Sequence, residues 1–96
     1  MPRYLIERIL PEGMSEEEVE DAVRRLIAVN ATIPEIHWLH SYLTVDRSKL
    51  FCEYEASGAS VLHDAARLAD VPVDRVTEVI EIRAETYSLF TRKEGV

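Results

Sequence analysis

Residues 36–56 read IHWLHSYLTVDRSKLFCEYEA, and this stretch decides the fold. Ile36 to Val45 is rich in β-formers, and Lys49 to Ala56 reads as a further strand. Asp46-Arg47-Ser48 between them carries turn chemistry, so the stretch predicts a β-hairpin. What lies on either side of the hairpin settles the topology.

Upstream, Tyr4-Leu5-Ile6-Glu7-Arg8-Ile9-Leu10 is strand-like, and Pro11 and Gly13 end it. A helix follows with a full set of start signals. Ser15 and Glu18 have the spacing of a capping box, Met14 and Val19 that of a hydrophobic staple, and the first turn is acidic. Val19, Ala22, Val23, Leu26 and Ile27 recur at helical spacing, and Asn30 to Pro34 closes the element. Downstream, Ser57-Gly58 opens a second helix from Ala59 to about Ala69. Its predicted apolar stripe is Val61, Leu62, Ala65, Ala66, Leu68 and Ala69, with His63, Arg67 and Asp70 on the wet side. Pro72 stops it, and Val76 to Ala84 reads as a fourth strand. The order β-α-β-β-α-β predicts an α+β, ferredoxin-like sandwich with an antiparallel sheet. Residues 1–84 form the expected domain. Residues 85–96 form a tail whose Tyr87, Leu89 and Phe90 call for packing on its own sheet or on a partner subunit.

Two helices cover only one face of a four-stranded antiparallel sheet. The other face carries Ile, Leu, Trp, Tyr or Phe in either plausible hairpin register, and an exposed patch of that kind marks an interface. Two such sheets packed face to face give a homodimer, a dimeric α/β barrel with a cavity between the sheets. A chain of 96 residues buries only about 60–65% of its unfolded surface, so dimerisation is a natural source of stability.

Composition narrows the partners. A formal charge of −7 leaves no basic footprint, which argues against nucleic acid and against an anionic membrane surface. No apolar run approaches the ~18 residues of a membrane span. Met1-Pro2-Arg3-Tyr4 runs straight into a strand, so no signal peptide is expected. The single cysteine, Cys52, excludes an internal disulfide and a cysteine-rich zinc site. The expected location is the cytoplasm.

Site chemistry concentrates on the hairpin. His37 and His40 are three apart and face opposite ways in a regular strand, so they are not a chelating pair by themselves. Register decides the neighbours of His40. If Val45 pairs with Ser48, His40 lies opposite Glu53, Tyr42 opposite Phe51 and Trp38 opposite Glu55. Imidazole beside carboxylate suits divalent nickel or zinc. If Val45 pairs with Lys49, His40 lies opposite Tyr54 and Tyr42 opposite Cys52, an arrangement closer to a small-molecule pocket. In both registers Trp38, His40 and Tyr42 share a face. The bland alternative for a lone histidine is a structural or simply exposed side chain. Glu7 occupies a central strand, where a carboxylate is costly unless it ligates or pairs with a neighbouring arginine. Cys52 reads as buried and structural. There is no Gly-rich phosphate loop, and Ser41 and Ser48 lack triad context, so binding is favoured over catalysis.

The runs Met1-Pro2-Arg3-Tyr4-Leu5-Ile6-Glu7-Arg8, Pro11-Glu12-Gly13, Trp38-Leu39-His40-Ser41-Tyr42, Phe51-Cys52-Glu53-Tyr54-Glu55-Ala56 and Val71-Pro72-Val73-Asp74-Arg75-Val76-Thr77-Glu78-Val79 together resemble one family of small bacterial proteins. That family is grouped as a domain of unknown function. Its best-described member type is a nickel-binding protein with a ferredoxin-like fold and a dimeric α/β barrel. The resemblance extends to about Arg83. It implies a small metal-binding protein that takes nickel or a similar divalent ion, with no organic cofactor. The expected ligands are His40 and Glu53, with Tyr42 and Glu7 in support. Where this chain has Ala65 the family pattern often carries a histidine, and the only histidine of the second helix is His63. The alternative is a small-molecule binding module or cofactor-free enzyme of the dimeric α/β-barrel type, with its ligand in the inter-sheet cavity. A third reading is a ligand-free interaction domain.

Overall fold

The first helix starts where its caps dictate. In a computed structural model that describes residues 1–85, the Ser15 hydroxyl accepts from the Glu18 N–H at 3.1 Å. The Glu18 carboxylate accepts from the Ser15 N–H, also at 3.1 Å. This capping box satisfies donors that the first turn leaves orphaned. The backbone bond from Ser15 is the main reason the Glu18 carboxyl sits below its usual range. Gly13, at φ 77°, makes the left-handed turn out of the preceding strand.

The elements are β1 (Arg3–Ile9), α1 (Glu16–Asn30), β2 (Ile36–Leu43), β3 (Lys49–Ala56), α2 (Ala59–Ala69) and β4 (Arg75–Val79). The sheet order is β2-β3-β1-β4, and every neighbouring pair is antiparallel. Each crossover from strand to helix to strand therefore leaves room for one strand between its two ends. This is the ferredoxin-like βαββαβ arrangement.

Alternation along the strands creates the core. Tyr4, Ile6 and Arg8 of β1 and Leu50, Cys52, Tyr54 and Ala56 of β3 are all buried. They meet Val19 of α1 and Leu62 and Ala65 of α2, so both helices lie on one side. Burying a side chain such as Ile6 or Leu62 stabilises the fold by about 1.5–3 kcal/mol. Tyr54 stacks on Trp38, with ring centroids 5.9 Å apart, and its hydroxyl accepts from Asn30 Nδ2 at 3.2 Å. Burial pushes the Tyr54 phenol upward. Arg8 is buried too, and it donates from NH1 to the Pro72 carbonyl at 2.9 Å. Its Nε has no partner among the described residues.

The two helices are also joined at one end. Arg25 of α1 donates to the carbonyls of Ala69 at 2.8 Å and Asp70 at 3.2 Å. A cation there meets the negative end of the α2 dipole and orphaned carbonyls together. Asp70, at φ 55°, ends α2 in the left-handed conformation. Leu68, expected in the apolar stripe, is 71% exposed, because the buried face narrows to Leu62, Ala65, Ala66 and Ala69.

The hairpin departs from regularity at one residue. From His40 to Leu43 the register is the one that sets His40 opposite Glu53 and Tyr42 opposite Phe51. Between Trp38 and His40 it shifts, with Trp38 opposite Tyr54, so Leu39 is an extra residue in β2. The bulge reverses the expected sharing of faces. Trp38 turns to the helix side and stacks on Tyr54, whereas His40 and Tyr42 remain on the other side. His37, opposite Glu55, joins them.

The fourth strand is shorter than expected, Arg75–Val79 rather than Val76–Ala84. Val79 pairs with Arg3, the first residue of β1, so the residues beyond Val79 have no ladder partner. Residues 86–96 lie outside those described, and the expected packing of Tyr87, Leu89 and Phe90 falls there. No helix among the described residues is long and apolar enough to cross a membrane.

Two outcomes follow from the hairpin. The Asp46 carboxylate accepts from the Ser48 hydroxyl at 2.7 Å, the Ser48 N–H at 3.0 Å and the Thr44 hydroxyl at 2.8 Å. Led by the Ser48 hydroxyl, these bonds lower its pKa from 3.8 to about 2. A depressed carboxyl pKa contributes stability above its unfolded value and loses it as pH falls through the folded value. Asp46→Ala is therefore expected to lower Tm by a constant amount above pH ~4, with the difference closing by pH ~2, in paired thermal melts. Deleting Leu39 removes the extra residue and leaves Trp38 opposite Tyr54 and His40 opposite Glu53 in a regular ladder. The deletion variant is expected to fold and to keep a shielded tryptophan emission. A shift of that emission to the solvent-exposed position would show that the bulge does not set the facing of β2.

Candidate functional site

The side of the sheet without helices is the candidate site. Alternation and the Leu39 bulge bring His37, His40 and Tyr42 of β2 to this open face. Phe51, Glu53 and Glu55 of β3 and Arg3, Leu5 and Glu7 of β1 share it. The register aligns them in rows. One row runs His37, Glu55, Arg3, Val79, the next His40, Glu53, Leu5, Thr77, and the third Tyr42, Phe51, Glu7, Arg75.

His40 and Glu53 are in direct contact, Nε2 to Oε1 at 2.8 Å. His40 is half exposed, whereas the Glu53 side chain is largely covered. Tyr42 stands edge-on to His40, with ring centroids 5.3 Å apart. The other Glu53 oxygen faces Arg3 NH1 at 3.2 Å. Arg3 also approaches Glu55 at 3.8 Å and contacts Glu81 just beyond β4. One guanidinium therefore serves three carboxylates, and the neighbourhood is net negative. The pairs are partly exposed, so each contributes no more than about 1 kcal/mol.

Of the four residues expected to ligate, the structure brings together His40, Glu53 and Tyr42. Glu7 stands apart. It lies one row from His40 and two strands across from Tyr42, and its carboxylate pairs with Lys49 at 3.4 Å. The expected partner was an arginine. Lys49 wins because it stands one position from Phe51 on the same face, within reach of Glu7. His63 is exposed on α2, on the wet side as expected. Ala65 is buried in the main core, on the opposite side of the sheet from His40, so its identity does not touch the His40–Glu53 pair.

His40 and Glu53 supply a nitrogen and an oxygen at one point. Among the described residues no three His, Cys, Asp or Glu side chains converge closely enough to hold an ion. A protein-held divalent site needs three or four ligands at ~2.0–2.2 Å. One chain thus offers part of a coordination set and not a closed site. Two surface recesses lie away from the His40–Glu53 pair. One is along α1 at Met14, Asp21 and Arg25, and the other is between the loop after β1 and the hairpin turn at Gly13 and Asp46.

Apolar side chains share the face with these charges. Leu5 and Phe51 are partly buried, whereas Tyr42 and Ile9 are 64% and 54% exposed. Trp38, expected among them, is absent because of the bulge. Sequence reasoning set His37 on the face opposite His40, which the bulge at Leu39 overturns, and it passed over Arg3 and Glu81. The signal for Arg3 was available, since the first residue of a central strand facing an acidic neighbour strand invites pairing. No signal marked Leu39.

The comparisons bear on the fold and the family. The structure of SCO4226 from Streptomyces coelicolor A3(2) superposes with a TM-score of 0.72 over 84% of this chain and 99% of that one. Its sequence identity of 15% makes this a likeness of fold. No curated protein matches the chain. The family model described as nickel responsive protein SCO4226-like matches residues 4–79, from the first strand to the last residue of β4. This chain belongs to the SCO4226-like family.

Proposed function

We propose that the chain is a small divalent-cation-binding protein, with nickel as its preferred ion, that acts as a homodimer through the open face of its sheet. The observation that carries the reading is the His40–Glu53 contact on the one sheet face the helices leave uncovered, in a family named for its response to nickel. Imidazole nitrogen and carboxylate oxygen form a borderline-to-hard donor pair suited to nickel or zinc. Three carboxylates around Arg3 add local negative potential that favours a cation. A single chain supplies too few donors, so a second copy, water or both complete the set. The exposed apolar groups Tyr42 and Ile9, with Phe51 and Leu5, support a second copy as the cover of this face.

The test combines mass, metal content and variants. Light scattering of untagged protein should give about twice the 11.0 kDa chain mass. Elemental analysis followed by nickel and zinc titration should detect binding. His40→Ala is expected to weaken it at least about tenfold, the scale lost even when a residue supporting a ligand is removed. Glu53→Gln weakens it in the same direction, and His63→Ala leaves it unchanged. Loss of binding in His63→Ala with His40→Ala intact would place the site elsewhere. Wild-type protein that binds no divalent ion would end the nickel reading in favour of a small-molecule ligand between the sheets. A clean monomer at micromolar concentration would remove the second copy as a source of ligands.

A further inference from the structure

Arg3 holds together parts of the chain that the backbone does not. Its NH1 is shared by Glu53 of β3 and by Glu81, which lies two residues past the end of β4. Glu53 is bound on its other oxygen by His40, at 2.8 Å. On the far side, Arg83 Nε donates to Glu81 at 2.7 Å, and Arg83 NH1 lies 3.8 Å from Glu85. His40, Glu53, Arg3, Glu81, Arg83 and Glu85 therefore form one line of contacts. It crosses the whole sheet from the edge strand β2 to the residues that follow β4.

The far end of this line is held weakly by everything else. Ladder pairing stops at Arg3 and Val79. Ile80 and Ile82 are 90% and 68% exposed, so burial does not fix them either. Among the described contacts, the tie from residues 80–85 back to the sheet is the Glu81 carboxylate on Arg3.

The geometry points to Arg3 as a shared cation that couples the charge on Glu53 to the position of residues 80–85. Two carboxylates on one guanidinium nitrogen share its positive charge and repel each other. When the Glu53 carboxylate is replaced by an amide or drawn away by a cation, the repulsion at NH1 is relieved, Arg3 NH1 serves Glu81 alone and the segment tightens onto the open face. When Arg3 or the Glu81 charge is lost, the segment is released. Glu55, at 3.8 Å, is the third carboxylate on the same guanidinium, and it faces NH2 and not the NH1 that Glu53 and Glu81 share. His40 sets how much of Glu53 is available to Arg3. A cationic ligand that engages Glu53 acts in the same sense as Glu53→Gln. The coupling itself requires no ligand, so it stands or falls separately from the nickel reading.

The experiment uses the full chain in metal-free buffer and follows trypsin cleavage after Arg83 by mass spectrometry. Glu53→Gln is expected to slow this cut about threefold, in line with a partly exposed ion pair. Glu81→Gln and Arg3→Gln are expected to speed it by about the same factor or more. In the Glu81→Gln background, adding Glu53→Gln should change nothing, because the two act through one nitrogen. Cleavage of Glu53→Gln at the wild-type rate or faster would overturn the proposal. Equal slowing in the Glu81→Gln background would do the same. Circular dichroism and thermal melts confirm that each variant is folded. If Arg3→Gln is not, the cycle between Glu53 and Glu81 decides alone.

Discussion

A four-stranded sheet has two faces, and this chain has two helices that both lie on one of them. Everything else in the structure follows from that imbalance. Along β1 and β3 each buried residue alternates with one that the helices never touch. Tyr4, Ile6, Leu50, Cys52 and Tyr54 fill the core, whereas Arg3, Leu5, Phe51, Glu53 and Glu55 are left over on the open face. The core and the candidate site are two readings of the same two strands, at even and odd positions respectively. A change of facing in any strand would therefore damage both at once.

The features legible in sequence were those set by local chemistry. Ser15 with Glu18, Gly13 and Asp46-Arg47-Ser48 act within a few residues of themselves, and each does in the structure what its residue type dictates. The order of elements followed from them, and the ferredoxin-like topology followed from the order. What sequence concealed depends on distant partners. Leu39 is an ordinary strand residue, with no glycine or proline to announce a bulge, yet it decides where Trp38 and His37 point. The strand propensity of residues 80–84 is real, but a ladder needs two sides and β1 begins at Arg3. Leu68 has the right spacing for a core residue and lies where the helix already turns toward water.

The site was legible in part for the same reason. His40 and Glu53 meet because the hairpin turn fixes the near half of the register. Glu7 was judged by its strand and not by its row, and its row places it with Lys49. The open face is also more polar than its strand composition suggests. A network centred on Arg3 occupies one end, and the aromatic and aliphatic groups Tyr42, Phe51 and Ile9 lie toward the other. A surface divided in this way is suited to an interface that is anchored by apolar contact and tuned by charge.

Cys52 has a use that its burial creates. It has no exposed surface, it lies in β3 between Ile6 of β1 and Ser41 of β2, and it is the chain's only thiol. A reagent in solution meets that sulfur only when the sheet opens at its centre. The thiol is thus an internal gauge: its rate of modification in dilute reagent reports the fraction of time the core stands open, with no label to attach and no second site to subtract.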